Sequence, residues 1–186
     1  MTRVRLAWAL AILTVVAAVV DTVMTLESSS FFSEQAVAQH GWPFATTAVV
    51  ACSLMGALIV SRYPRHPIGW LLTATGAVGS LSLACEAWSI WILDADGPGS
   101  RHFGHLIGWF SALIGAPLAI GLLGLIFLTA PDGRLLSARW RWAGWLIVVG
   151  VAFYCAGILV TPPGRVVVNE NQDFGVLPSL LTAIGR

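Results

Sequence analysis

The chain has 186 residues, of which 57% are hydrophobic and only 10% charged, against the roughly 45–50% apolar and 25% charged of an ordinary soluble domain. So few charges cannot cover a water-facing globule. Ten basic residues against nine acidic ones leave a net charge near +1, which removes the usual electrostatic case for nucleic-acid binding.

An apolar run of about 20 residues at 1.5 Å per residue crosses a hydrocarbon layer of about 30 Å. Five runs qualify: Leu6 to Leu26, Trp42 to Val60, Ile68 to Leu93, Leu106 to Thr129 and Trp142 to Thr161. They are continuously apolar instead of alternating, so each is expected to be a helix that satisfies its own backbone hydrogen bonds in lipid. The predicted fold is an all-α, polytopic transmembrane helix bundle of five spans in a single membrane domain. Residues 162–186 form an outer tail or the start of a sixth span.

The first run follows Arg3 and Arg5, as a secretory signal would, but it is longer than a signal core, and the only A-x-A-like site, Ala36-Val37-Ala38, lies well beyond its end. It reads as an anchor. Arg3, Arg5, Arg62, Arg65, Arg134, Arg139 and Arg141 fall on one side of the five spans, and Arg101, Arg165 and Arg186 on the other. This asymmetry places the N-terminus inside a multi-pass cell-membrane protein. Trp8, Trp42, Trp70, Trp91, Trp109, Trp140 and Trp142 lie near span ends, where an indole anchors depth with its N–H at the wet interface.

Small residues at i, i+4 spacing mark candidate packing faces: Ala48, Cys52 and Gly56 in the second span, Gly76, Ser80 and Ala84 in the third, Gly108, Ala112 and Ala116 in the fourth. Pro117 is expected to bend the fourth span. Cys52, Cys85 and Cys155 lie singly in apolar runs and read as small buried side chains.

Two carboxylates, Asp21 and Glu86, fall inside spans, both in the outer third. With Asp94, Asp96, Arg101, His102 and His105 in the outer loops they outline an acidic and histidine-bearing patch suited to sensing protons or a divalent cation. Alternatively, Glu86 pairs with Arg101 or a loop histidine, or is protonated and hydrogen-bonded within the bundle. His102 and His105 lack a third ligand, so no metal and no cofactor is expected. No G-x-S-x-G, Walker A, H-E-x-x-H or dinucleotide fingerprint occurs, and an enzyme is not expected. Five spans do not halve into inverted repeats, and the echo of Ile68-Gly69-Trp70 in Ile107-Gly108-Trp109 reads as coincidence.

The inner loops carry the most distinctive sequence. The first runs Arg62-Tyr63-Pro64-Arg65-His66-Pro67-Ile68-Gly69-Trp70-Leu71-Leu72, with Pro67 at a helix start. The second runs Pro131-Asp132-Gly133-Arg134-Leu135-Leu136-Ser137-Ala138-Arg139-Trp140-Arg141, a P-D-G turn and a basic, aromatic stretch. In order and spacing the pair resembles the multispan N-terminal membrane regions of actinobacterial sensor histidine kinases and related uncharacterised membrane proteins. That family's pattern looks like R-x-P-x-N-P-I-G-W-L-L, then F-P-D-G-R-L-P-S-x-R-W-R. Here His66 replaces the Asn, Ala130 the Phe and Leu136 the Pro. The resemblance implies a sensory input region that passes a bundle rearrangement to a cytoplasmic partner, with a homodimer as a further arrangement. It also implies a longer chain, of which this would be a fragment or a degenerate relative. The alternative is a small accessory membrane protein, for example a transporter subunit, without a signalling role. The expected partners are the lipid bilayer and either a second copy of the chain or a cytoplasmic signalling protein, and no nucleic acid is expected.

Overall fold

The structure, a computed structural model, describes residues 2–28, 41–129 and 140–163. Every regular element among them is a helix: α1 (Thr2–Ser28), α2 (Phe44–Arg62), α3 (Pro67–Asp94), α4 (Arg101–Ile114), α5 (Ala116–Thr129) and α6 (Arg141–Val160). With α4 and α5 in line, they make five helical segments long and apolar enough to cross a membrane. The inner loop Pro131 to Arg139 and the tail beyond 163 lie outside the described residues.

Helix α1 carries neither Gly nor Pro and runs unbroken for 27 residues. Among its buried side chains Ala7, Ala11, Thr14, Ala18 and Asp21 recur at steps of three and four, with Ala17 beside them and Ser28 two turns further on, the spacing that keeps one seam turned to a neighbour. All are small or short, so the neighbouring helices approach closely. Three hydrogen bonds tie this seam to α2: Trp8 Nε1 donates to Ser61 Oγ at 2.9 Å, Thr14 Oγ1 lies 3.0 Å from Ser53 Oγ, and Thr46 Oγ1 donates to Asp21 at 2.6 Å. As the α1 number rises the α2 number falls, so the two helices are antiparallel.

Helix α3 is the hub, packed against α1, α2, α4 and α5. Against α2 the contact is backbone to backbone. A Cβ on Gly56 would overlap Thr73 and lie 2.6 Å from the Gly69 carbonyl oxygen, and one on Gly76 would overlap Val49 and lie 2.5 Å from Ser53 Cβ. Against α4, Ser82 Oγ donates to the Ser111 carbonyl at 3.1 Å, Ser111 Oγ donates to the Ser82 carbonyl at 2.9 Å, and Ser89 Oγ donates to the Gly104 carbonyl at 2.8 Å. Trp88 and Phe103 extend this seam as an edge-to-face pair with centroids 6.3 Å apart.

The expected packing faces are only partly realised. Gly76, Ser80 and Ala84 are all buried. In the second span Ala48 is exposed, and the buried set is Thr46, Ser53, Gly56, Ala57 and Val60. In the fourth, Ala112 is only half-buried, the Ala116 side chain lies outside the described set, and Gly104, Gly108, Ser111 and Gly115 are buried. Strict steps of four rotate about 40° per step around a helix of 3.6 residues per turn, whereas alternating threes and fours stay on one side.

The bend expected at Pro117 occurs as a break at Gly115, whose ψ of −117° is not helical and which separates α4 from α5. Proline has no N–H for the Leu113 carbonyl, four residues back. The Cys155 thiol of α6 reaches that carbonyl at 3.7 Å. Helix α6 has no buried residue and rests on α5, where Gly121 and Gly124 receive Val151 and Ile147.

Candidate functional site

The two intramembrane carboxylates lie toward the same end of the bundle but at different levels: the Asp21–Thr46 bond and the approach of Gly79 to Val49 put Asp21 near the level of Ser82, about 6 Å along the axis from Glu86. Asp21 and Glu86 each lie nineteen residues beyond the first residue of their helices. Because α1 and α3 both run antiparallel to α2, they are parallel to each other, so both residues sit toward the same end of the bundle. Asp21 is buried at 5% exposure and accepts the hydrogen bond from Thr46. Glu86 is half-buried on α3 and is also engaged in an interaction.

Arg101, His102 and His105, expected in an outer loop, instead form the first turns of α4. Ser100 explains the shift: its hydroxyl caps the helix by accepting from the Phe103 N–H at 3.2 Å. Arg101 and His102 are exposed and His105 half-buried. The Ser89–Gly104 contact sets the register of α3 and α4, and leaves Glu86 about 9 Å along the axis from the level of Arg101. Among the described residues no three His, Cys, Asp or Glu side chains gather as a metal-ligand set.

At the opposite end, the loop between α2 and α3 is a tight turn closed by the His66 N–H on the Tyr63 carbonyl at 2.9 Å. Each prominent residue of Pro67-Ile68-Gly69-Trp70 has a local task. Pro67 opens α3 at its first turn, where a missing N–H costs nothing. Gly69 lets α3 press on α2, since a Cβ there would lie 2.9 Å from Ile59 Cγ2. Trp70 packs on the core of Ala7, Ala11, Ala57 and Val60 while its Nε1 donates to the Pro64 carbonyl at 3.1 Å, fastening the loop.

The second I-G-W triplet is used in a related way. Gly108 is buried, and Trp109 Nε1 donates to the carbonyls of Ile158 and Thr161 at 2.9 and 3.0 Å, clamping the end of α6. Trp8, Trp70 and Trp109 thus spend their N–H groups on protein partners. Their places near span ends are legible in the sequence, whereas the partner that each N–H meets depends on which helices become neighbours.

Arg3, Arg62 and Arg65 meet beside this loop, in a wide-mouthed cleft of about 900 Å³ that Thr2, Tyr63 and His66 also line. Trp140 and Arg141 stand exposed at the start of α6. Pro131, Asp132, Gly133, Arg134 and Arg139 lie outside the described residues.

The residues that sequence reasoning missed are hydroxyls: Thr14, Thr46, Ser53, Ser82, Ser89 and Ser111. Their signal was present, since a Ser or Thr on the lipid face can bond only its own backbone, and seven-residue spacing joins Ser82 to Ser89 on α3. Comparison with known proteins brings up no matching family model, no matching curated protein and no matching solved structure.

Proposed function

We propose that this chain is a multi-pass cell-membrane input module, in which α5 and α6 shift against a core of α1 to α4 and the change reaches a cytoplasmic partner. The partner contacts are the loops Arg62 to Pro67 and Pro131 to Arg141. The observation that carries this reading is the break at Gly115, which divides a closely packed half from a half whose last helix buries no residue. A helix interrupted between two differently packed halves is where a bundle can hold two arrangements. The likeness of the two inner loops to those of sensor histidine kinases supports the same direction of signalling, from membrane to cytoplasm.

The test is a distance distribution by electron paramagnetic resonance, in a chain with Cys52, Cys85 and Cys155 replaced by alanine and spin labels introduced at Leu58 and Phe127, both exposed. Two populations are expected, shifting in ratio when Gly115 is replaced; one narrow population insensitive to that replacement overturns the reading.

The accessory-subunit reading is favoured by one observation: α6 buries no residue, and the side turned away from α5 is open to another membrane protein. It requires a partner that co-purifies, and isolation as a monomer counts against it.

A further inference from the structure

The cleft at the Arg62 end is electrostatically one-sided. Among the described residues, Arg3, Arg62 and Arg65 line it and no carboxylate does. It also gathers two helix N-termini, those of α1 and α3, each of which carries partial positive charge from its unpaired N–H groups. Neither helix has an acidic residue in its first turn to offset that charge, and His66, at the cap position of α3, makes no side-chain capping bond. His66 Nδ1 is buried without a hydrogen-bond partner. Three arginines lining one cavity, with the hydroxyls of Thr2 and Tyr63 beside them, make a dense set of donors with no anionic acceptor among the described residues.

We propose that this cleft binds a phosphate group. Guanidinium forks match the tetrahedral oxygens of phosphate in paired hydrogen bonds, and a cleft of this size at the end of a membrane bundle suits the headgroup of an anionic phospholipid. Free phosphate presents the same oxygens, and experiment separates the two sources. The site does not depend on movement about Gly115, and its failure leaves that reading untouched.

The full chain is purified in detergent with equal amounts of phosphatidylglycerol and phosphatidylcholine, and the retained lipid is read by native mass spectrometry. In parallel, its thermal midpoint is followed as inorganic phosphate is added. The variants are the triple replacement of Arg3, Arg62 and Arg65 by Gln, the triple replacement by Lys, and Arg101→Gln as a charge control at the opposite end.

Wild type is expected to retain the anionic lipid in at least about tenfold preference, the Gln variant to lose that preference, the Lys variant to keep part of it and Arg101→Gln to keep it all. A midpoint that rises with inorganic phosphate in wild type and not in the Gln variant, without a lipid preference, assigns the site to free phosphate. Arg65→Gln alone, in an exposed turn, gives a reading should the triple variant fail to fold, and is expected to weaken the preference severalfold. Equal preference in wild type and either Gln variant, or no response to either probe, overturns the proposal.

Discussion

Ser82 and Ser111 hold each other by a reciprocal exchange: each hydroxyl donates to the other residue's backbone carbonyl, and the two oxygens lie 3.0 Å apart. Such a pair fixes the lateral spacing of α3 and α4 and their register together. In lipid an interhelical hydrogen bond contributes about 0.6 kcal/mol on average and up to about 1.7. Ser82→Ala and Ser111→Ala should each destabilise the bundle by about 1 kcal/mol. The double variant should cost less than the two singles together, because either substitution already spoils the exchange. Unfolding in mixed detergent micelles reads all three, and strict additivity would show that the two hydroxyls act separately.

The glycines divide into two classes with opposite expected outcomes. Gly56→Ala puts a methyl group against Thr73 and the Gly69 carbonyl, where backbone and not a flexible side chain must give way, and should cost about 1–3 kcal/mol. Gly144→Ala and Gly150→Ala, in α6, meet nothing within 4 Å, and should be neutral or stabilise by up to about 1 kcal/mol through helix propensity. Equal effects at Gly56 and Gly144, measured by the same unfolding assay, would remove close helix approach as the explanation of Gly56.

Thr46 supports the buried Asp21 carboxylate. Thr46→Val keeps the shape and deletes the donor, and should lower stability by about 1–3 kcal/mol, while Thr46→Ser should retain most of it. Thermal midpoints of the two variants in detergent give the comparison. Matching values for Val and Ser would mean that the hydrogen bond carries no weight there.

Pro117→Ala restores an N–H facing the Leu113 carbonyl, in competition with the Cys155 thiol. With spin labels at Leu106 and Phe127, the fourth span should lengthen toward the roughly 32 Å of a straight helix. An unchanged distance would place the cause of the break in the seating of Gly115 on Ser82 and Ser111 instead of in the proline.

The spans were legible in the sequence because their signal is composition over about twenty residues, which tertiary context hardly alters. Ends differed by a few residues: α1 starts at Thr2 and not Leu6, since lipid is no requirement for helix, and α4 reaches back to Arg101 because of the Ser100 cap. Packing faces were less legible. Ala and Gly are so frequent that many registers look plausible, and composition alone neither singles out the Ala7, Ala11, Thr14, Ala18, Asp21 stripe nor excludes the exposed Ala48. Of the candidate site, Asp21 and the arginine-bearing loop were visible as charges in or beside apolar runs. That Thr46 would face Asp21, or that Arg3 would join Arg62 and Arg65, depends on which helices become neighbours.

The central position of α3 has a consequence for how the protein is made. Of the five membrane-length segments it is the least apolar and the most enclosed, with Thr73, Thr75, Ser80, Ser82 and Ser89 all buried. Its gain on partitioning alone from the insertion machinery into lipid is therefore the smallest of the five. Helices α1 and α2 emerge first and already present the glycine and alanine surface that α3 needs, whereas Ser82 and Ser89 gain their partners only when α4 follows. Biogenesis should accordingly be most sensitive to the order of segments: a chain truncated after α3 leaves two hydroxyls facing acyl chains, and the addition of α4 is the step that commits α3 to the bilayer.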